Sequence, residues 1–283
     1  MSICIEHLNH VYNPDSPFSV AALDDVSLTV QDGEYVCIIG HTGSGKSTLV
    51  QHFNGILKPS SCEKMVIEGI NLLEKKPDLK LLRRRVGMVF QYPEYQLFEQ
   101  TVEEDIAFGP KNLGFSSQEI EQCVAESMEM VGLEENLRKS SPFELSGGQK
   151  RRAAIAGVLS MRPNVLVLDE PIAGLDPKGK REILEVIHRY HEKNKATVVM
   201  ISHNMDDIVR VADRVIVMHK GNKAMDGTPS QVFSRQEEIL KLGLGLPVVS
   251  RLVRRLNEMG KNIPESICRS EELVAYITGE KNT

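Results

Sequence analysis

The segment that most constrains this chain is Gly40-His-Thr-Gly-Ser-Gly-Lys-Ser-Thr48, which lies between an apolar run, Tyr35–Ile39, and a helical pattern over Lys46–Phe53. Its spacing, G-x-x-x-x-G-K-S, is that of a phosphate-binding loop. Glycines let the loop curl until several backbone N–H groups point at one anion. Lys46 adds positive charge, and the Ser47 hydroxyl is placed to ligate Mg²⁺. We therefore predict a strand–loop–helix unit that binds nucleotide phosphates through Gly40, His41, Thr42, Gly43, Ser44, Gly45, Lys46, Ser47 and Thr48.

The order of elements along the chain predicts an α/β doubly wound sheet. Short apolar runs mark buried parallel strands, and helical patterns lie between them. The first 30 residues alternate in polarity and predict a partly exposed antiparallel sheet, whereas the chain from about residue 233 predicts short amphipathic helices. The strand runs are Tyr35–Ile39, Val86–Phe90, Val165–Leu168, Thr197–Ile201 and Val215–Met218, and the helical patterns are Lys46–Phe53, Ser117–Val131, Gln149–Leu159 and Lys178–Tyr190.

Polar residues follow several of these runs directly. Gln91, Asp169 and His203 each come at or just after a strand end, as Gly40 does. Ligands of open α/β sheets bind outside the carboxyl ends of the strands, so we expect these residues to meet at one edge. Asp169 suits a Mg²⁺ ligand, and Glu170 can accept a proton from an attacking water. Taken singly, each residue has an ordinary alternative. The acidic pair could form a solvated turn or a helix cap, Gln91 could be a polar surface residue, and His203 could be structural.

Leu145-Ser-Gly-Gly-Gln149 follows no strand and opens a helix. Lys150, Arg151 and Arg152 lie in its first turn, where positive charge opposes the helix dipole unless an anion or an acidic partner lies close. Ser146 and its two glycines would expose N–H groups as a second anion site. Because helical sequence separates this site from the sheet edge, we predict that Leu145, Ser146, Gly147, Gly148 and Gln149 serve the nucleotide of another subunit.

Composition narrows the class of protein. The 283 residues carry 34 Lys+Arg against 39 Asp+Glu, a net charge of −5, which argues against nucleic acid as the main partner. The five cysteines are scattered and form no C-x-x-C pair, so neither a disulfide framework nor a zinc ribbon is expected. We expect the chain to be located in a reducing cytosol. The N-terminus lacks the features of a signal peptide, and no apolar stretch approaches a membrane span.

Together these motifs resemble the ATP-binding subunit of ATP-binding-cassette (ABC) transporters, over roughly residues 2–230. The resemblance implies a P-loop ATPase domain at 1–232, with an antiparallel β subdomain and a helical subdomain at about 92–160, followed by a helical appendage at 233–283. It also implies a head-to-tail dimer that binds ATP and Mg²⁺ between subunits. In that family Glu170 and His203 would be catalytic, Gln91 would sense Mg²⁺, Asp176 would lie at the dimer interface, and Tyr12 would stack on adenine.

A narrower resemblance comes from the segment Phe90–Gly109, which looks like that of the ATPases of energy-coupling factor transporters, importers of vitamins and metal ions. The Tyr12-Asn-Pro opening and the C-terminal appendage look more like the second of the two paired ATPases. The implied partners are a second ATPase, in a heterodimer or homodimer, a transmembrane coupling subunit and a substrate-binding membrane subunit, with this chain peripheral on the cytoplasmic face. We expect membrane-partner coupling through Tyr92, Tyr95, Leu97 and Phe98.

Two other functions remain open from the sequence. A soluble cassette ATPase acting on nucleic acid or ribosomes would share these motifs, although no coiled-coil insertion fits between Gln91 and Leu145. A binding module without hydrolysis would also share them, but Glu170 and His203 are both present. The C-terminal helices have no assigned role, and Leu252, Val253 and Leu256 form an apolar stripe that could hold two ATPases together.

Overall fold

The computed structural model describes residues 1–279, so residues 280–283 of the predicted appendage lie outside the described part. The structure is α/β, as predicted. The strands are β1 (Ile3–Tyr12), β2 (Val20–Val30), β3 (Tyr35–Ile39), β4 (Lys64–Ile67), β5 (Ile70–Asn71), β6 (Val86–Val89), β7 (Val165–Asp169), β8 (Thr197–Ile201), β9 (Arg214–His219) and β10 (Asn222–Gly227).

Helices connect and cover these strands, and 3₁₀ turns at Pro93–Gln96, Glu135–Leu137 and Pro142–Glu144 join some of them. The predicted helices over Lys46–Phe53 and Ser117–Val131 are confirmed at both ends. The helices are α1 (Lys46–Phe53), α2 (Leu79–Arg85), α3 (Val102–Leu113), α4 (Ser117–Val131), α5 (Gly147–Leu159), α6 (Pro177–Asn194), α7 (Met205–Val211), α8 (Pro229–Phe233), α9 (Gln236–Lys241), α10 (Val248–Glu258) and α11 (Ser270–Thr278).

Two sheets form the framework. The larger has the strand order β10-β9-β3-β8-β7-β6, with β9, β3, β8, β7 and β6 parallel and β10 antiparallel at one edge. The smaller sheet, β2-β1-β4-β5, is antiparallel, which confirms the prediction for the first 30 residues. In the larger sheet Ile38 and Asp169 both lie opposite Ile201. The carboxyl ends of β3, β8 and β7 therefore reach one edge together.

The parallel strands are buried on both faces, which explains their unbroken apolar runs. Along β3, Val36 and Ile38 face the smaller sheet, and Cys37 and Ile39 face the helices on the other side. This alternation follows the two-residue period of a strand. Between β6 and β7 the chain forms α3, α4 and α5, at the place of the predicted helical subdomain.

The C-terminal region is packed partly on the main core. Phe233, Ile239 and Leu244 belong to the same buried cluster as the central sheet, whereas a separate small cluster contains Val253, Ile263, Ile267 and Leu273. A boundary at 232/233 thus cuts through packed structure, and that domain division stays a prediction. The expected apolar stripe is split, because Val253 is fully buried while Leu252 is exposed. Among residues 1–279 no helix has the length and hydropathy of a membrane span.

Gly87 offers a test of the packing between β6 and the helical layer. A Cβ there would lie 2.7 Å from Val158 Cγ1 and 2.8 Å from Pro163 Cγ, two groups with little freedom to move. We expect Gly87→Ala to lower the free energy of unfolding by about 1–3 kcal/mol in urea titrations, because overpacking forces side chains off their rotamers. Gly245→Ala is the control, since its Cβ meets no atom within 4 Å. Equal unfolding midpoints for the two variants would contradict this packing.

Candidate functional site

At two positions the loop between β3 and α1 has room for backbone only. A Cβ on Gly40 would lie 2.3 Å from the carbonyl oxygen of Met218, and one on Gly45 would lie 2.4 Å from that of Ala22. Gly45 also has φ of 96°, in the left-handed region that glycine adopts without strain. Glycine is therefore required at both positions for sheet and loop to approach this closely.

Lys46 folds back over this loop. Its Nζ donates hydrogen bonds of 2.8 Å to the carbonyl oxygens of Gly40 and His41. Burial lowers the pKa of Lys46, against the opposing effect of Glu170 and Asp169. The Ser44 hydroxyl oxygen is buried with no hydrogen-bond partner among the described residues. A phosphate in the loop would supply both a counter-charge for the ammonium and a partner for this hydroxyl, so the residues fit an anion.

The predicted residues at the strand ends meet, as expected from their sequence positions. His203 Nε2 lies 2.6 Å from Glu170 Oε1, and Gln91 Nε2 donates to Glu170 Oε2 at 3.1 Å. Both carboxylate oxygens of Glu170 are thus engaged by side chains from the ends of two other strands. Because an ionised carboxylate only accepts hydrogen bonds, the His203 nitrogen in this contact carries the proton.

The backbone of Glu170 has φ of 51°, a left-handed conformation that is strained for a residue with a side chain. The preceding residue, Asp169, is paired in β7, and the strained turn re-aims the chain directly after it. Strain of this kind persists only when the surroundings impose it. Here it directs the Glu170 carboxylate to Gln91 and His203, and this left-handed turn is the feature that the sequence analysis did not predict.

Asp169 and Ser47 are the oxygen donors best placed for a metal. Burial raises the pKa of Asp169 and the charge of Glu170 adds to this, while a hydrogen bond from the Ser47 hydroxyl acts in the other direction. Mg²⁺ prefers oxygen ligands and keeps part of its shell as water or phosphate oxygen. Gln91 uses its amide nitrogen on Glu170, which leaves its oxygen for a metal. The chemistry of this donor set therefore fits Mg²⁺.

The Ser-Gly-Gly segment lies elsewhere on the surface. Ser146 caps α5 by accepting from Gln149 N–H, and Gln149 Oε1 accepts from Ser146 N–H in return. Leu145 is buried beneath it, and a Cβ on Gly147 or Gly148 would meet no atom within 4 Å. The small cavity at this segment, about 260 Å³, is lined by Gly148 and Arg152 with residues of the α6 start, Leu175, Asp176, Lys178, Gly179, Glu182 and Ile183.

Asp176 and Tyr12 have separate positions. Asp176 caps α6, with Oδ1 accepting from Gly179 N–H at 2.9 Å. It also lines the cavity beside the Ser-Gly-Gly segment. Tyr12 ends β1, where its ring is 38% exposed and its hydroxyl lies 3.2 Å from Thr48 Oγ1. The ring therefore stands next to the last residue of the phosphate-binding loop, within reach of a base attached to phosphates there.

The aromatic cluster after Gln91 is only partly exposed. Tyr92, Tyr95 and Phe98 reach solvent, but Leu97 is 9% exposed and packs in the main core. Leu97 therefore forms the floor of the predicted surface rather than part of its exposed face. A groove of about 760 Å³ adjoins it, with the Phe98 and Phe108 rings edge to face at 4.9 Å. Its charged lining residues are Lys80, Arg83 and Asp105.

Sequence reasoning missed the partner of Arg151. The side chain is 3% exposed and forms a bidentate ion pair with Glu94, Nε–Oε2 3.0 Å and Nη2–Oε1 2.7 Å. It also donates to the carbonyl oxygen of Ala173 at 2.6 Å, and its guanidinium lies over the Tyr92 ring. A basic residue at this helix start is thus satisfied by a carboxylate from the chain after Gln91. It joins the Ser-Gly-Gly helix, the aromatic cluster and the loop after Glu170.

The Arg151–Glu94 pair predicts a coupled loss of stability. Arg151→Met leaves Glu94 without its cation in a partly buried site, so we expect a cost of about 2–4 kcal/mol in urea unfolding. Glu94→Gln should lower the free energy of unfolding less in the Arg151→Met variant than it does in the parent chain. Purely additive effects in this double-mutant cycle would show that the contact carries no coupling.

The same pair also predicts a pH dependence. Burial opposes the shift, but the hydrogen bonds and charge of Arg151 outweigh it and lower the pKa of Glu94 below its ordinary 4.5. The stabilisation is therefore complete above that ordinary value and is lost as the pH falls through the lowered, folded-state pKa. In unfolding titrations at decreasing pH, Glu94→Gln should show a weaker loss of stability than the parent. An unchanged acid dependence would contradict the assignment.

The fold and this site define a P-loop ATPase of the cassette class. The family model described as ABC transporter matches residues 23–173. The energy-coupling factor transporter ATP-binding protein EcfA2 of Caldanaerobacter subterraneus subsp. tengcongensis is 52% identical over 286 residues, covering 100% of both chains. The protein of that name from Clostridium perfringens is 53% identical and covers 94% of each chain.

Solved structures agree. The structure of cbiO1 from Clostridium perfringens, part of the ABC transporter complex cbiONQ, is 38% identical with a TM-score of 0.72, covering 89% of this chain and 98% of that one. The dimeric structure of MJ0796, a bacterial ABC transporter cassette, is 28% identical with a TM-score of 0.71, covering 80% and 98%. The chain therefore belongs to the ABC transporter family. Within that family it belongs to the energy-coupling factor ATP-binding proteins and matches the second ATPase subunit.

Proposed function

We propose that this chain is the ATP-hydrolysing subunit that powers uptake of a vitamin or metal ion through separate membrane subunits. The observation that carries the proposal is the contact of Glu170 with both Gln91 and His203 beside the phosphate-binding loop. The transporter names of the relatives support it over a cassette ATPase that acts on nucleic acid or ribosomes.

The phosphates of ATP would lie in the loop from Gly40 to Thr48, with Lys46 neutralising the outer charge. Ser47, Asp169 and the Gln91 oxygen would hold Mg²⁺, which neutralises charge on the transferred phosphoryl group. In the structure each carboxylate oxygen of Glu170 accepts one hydrogen bond, Oε1 from His203 and Oε2 from Gln91. We infer that His203 transfers its Nε2 hydrogen bond to the γ-phosphate, which frees Glu170 Oε1 to accept a proton from water.

The Ser-Gly-Gly segment supports a head-to-tail dimer. It is exposed and capped, and the cavity beside it is lined by residues of α5 and of the start of α6, among them Asp176. When two subunits pack together, the phosphate-binding loop of one and the Ser-Gly-Gly segment of the other would form one complete site. The second subunit would be a different ATPase of the same class, and a second copy is the alternative. Loss of the γ-phosphate would remove the bridge and reopen the dimer.

Glu170→Gln tests the hydrolytic step. Loss of the proton acceptor should lower ATP turnover about 100-fold or more, with ATP still bound, because the amide keeps the shape but not the basicity. The variant should therefore accumulate ATP-bound dimers in size-exclusion chromatography. Glu192→Gln, an exposed carboxylate on α6, should behave like the parent. Parent-like hydrolysis by Glu170→Gln would remove Glu170 from the role of base.

The groove beside Phe98 and Phe108 fits a helix of a membrane partner. Apolar rings exposed at the rim of a concave surface are costly in water and favour a partner's apolar helix face. The groove is lined by Phe90, directly before Gln91, and by Gln96 shortly after it, so a helix seated there would act on the chain that contacts Glu170. Binding to such a partner would place this protein on the cytoplasmic face of the membrane, as a peripheral subunit.

Capture from native membranes tests this surface. In mild detergent, tagged parent protein should co-purify with hydrophobic membrane subunits identified by mass spectrometry. Phe98→Ala combined with Phe108→Ala should reduce that recovery about tenfold, because two anchoring rings are lost. Leu73→Ala, which removes an exposed apolar side chain outside the groove, is the control. Equal recovery with the double variant would place the membrane contact elsewhere.

A further inference from the structure

Tyr12 is held from behind by a histidine. His10 lies two residues earlier on β1. The His10 and Tyr12 ring centroids are 4.5 Å apart with the planes at 73°, an edge-to-face contact. His10 is 7% exposed, so this contact is buried behind the half-exposed Tyr12 ring.

A second histidine extends the contact to the phosphate-binding loop. The His52 ring lies on α1, with its centroid 4.9 Å from that of His10 and the planes at 79°. His52 Nδ1 lies 2.7 Å from the carbonyl oxygen of Thr48, and the Tyr12 hydroxyl lies 3.2 Å from Thr48 Oγ1. The four side chains and Thr48 backbone therefore form a closed ring that begins and ends at Thr48.

The protonation of the two histidines follows from their partners. A carbonyl oxygen only accepts, so Nδ1 carries the proton in His52 and also in His10, which contacts the Lys58 carbonyl oxygen at 3.2 Å. Burial lowers the pKa of His52 to about 4, so this ring is neutral near neutral pH. The neutral His52 ring therefore contacts the His10 ring edge to face without adding a charge of its own.

Burying the His52 ring in this arrangement costs folding free energy. His52 is fully buried, and its Nε2 has no hydrogen-bond partner among the described residues. An apolar side chain would fill the space without leaving a polar atom unpaired. What an aliphatic side chain cannot supply is a flat, rigid ring that contacts His10 on one side while Nδ1 holds the Thr48 carbonyl.

We propose that His10 and His52 are positioning residues that hold the Tyr12 ring at a set distance from the phosphate-binding loop, so that base and phosphates of one nucleotide are bound together. The inference rests on the proposed role of Tyr12 as the platform for adenine. Because Thr48 is the last residue of the loop, the ring of contacts ties that platform to the phosphate site through two independent links.

The test compares a ligand that carries a base with one that does not. Isothermal titration calorimetry of the full chain would use Mg·ADP and Mg·pyrophosphate, neither of which has a γ-phosphate to hydrolyse. His10→Leu and His10→Met keep the volume without an aromatic face, His10→Phe restores the ring, and Tyr12→Ala removes the platform. His188→Leu, on the exposed face of α6, is the control. Thermal unfolding with and without pyrophosphate establishes that each variant is folded.

We expect His10→Leu and His10→Met to bind ADP roughly twofold to tenfold more weakly, as expected for loss of one aromatic contact, with pyrophosphate binding unchanged. His10→Phe should restore most of the ADP affinity. An equal loss for both ligands would show general damage to α1 and overturn the inference. Parent-like ADP binding by the His10 variants, with weakened binding by Tyr12→Ala, would overturn it while keeping the platform. Unchanged ADP binding by Tyr12→Ala would instead refute the proposed role of Tyr12.

Discussion

The site depends on the parallel pairing of β3, β8, β7 and β6. Because these strands run in one direction and in aligned register, their carboxyl ends deliver the phosphate-binding loop, His203, Glu170 and Gln91 to the same edge. Residues separated by up to 163 positions in sequence, from Gly40 to His203, are thereby brought to one place. An antiparallel arrangement would send alternate members to the opposite edge.

Rigidity at this edge comes from polar side chains that pair with one another, of which Lys46 and Arg151 are buried whereas Gln91 and His203 reach solvent. Lys46 is held by loop carbonyls, Glu170 by His203 and Gln91, and Arg151 by Glu94. Because Lys46 and Arg151 are buried, their contacts have strong geometric requirements, and a change at one of them affects its neighbours. Arg151 is notable in this respect, because it contacts both the chain that follows Gln91 and the loop that follows Glu170. It provides a physical link between the proposed membrane-partner groove and the hydrolytic centre.

The contacts of Glu170 with Gln91 and His203 bear on how it would act as a base. Each carboxylate oxygen of the proposed base accepts one hydrogen bond, and the contact with His203 lasts until another acceptor competes for that ring. A γ-phosphate is such an acceptor, since it is anionic and binds in the adjacent loop. Binding of a triphosphate would then weaken the contact of His203 with Glu170 and leave Oε1 free to accept a proton from the attacking water.

Local features of this protein could be predicted from its sequence, because they are set by neighbouring residues. The apolar runs identified the five strands of the parallel sheet, and the phosphate-binding loop needed only its own glycines and lysine. The helices Lys46–Phe53 and Ser117–Val131 were predicted to the residue, whereas the predicted patterns Gln149–Leu159 and Lys178–Tyr190 are shorter than α5 and α6. The seven-residue α2 and α7 were missed because so short a helix shows little periodicity.

Only the tertiary structure decided which distant groups touch. The inward position of Leu97, the Arg151–Glu94 pair and the contact between His10 and His52 each join segments far apart in the chain. Their distances depend on how helices pack against sheets, to within an ångström or two, and no local pattern encodes that. The sequence by itself determined the chemistry available at the strand ends, and packing determined the orientation in which each group presents it.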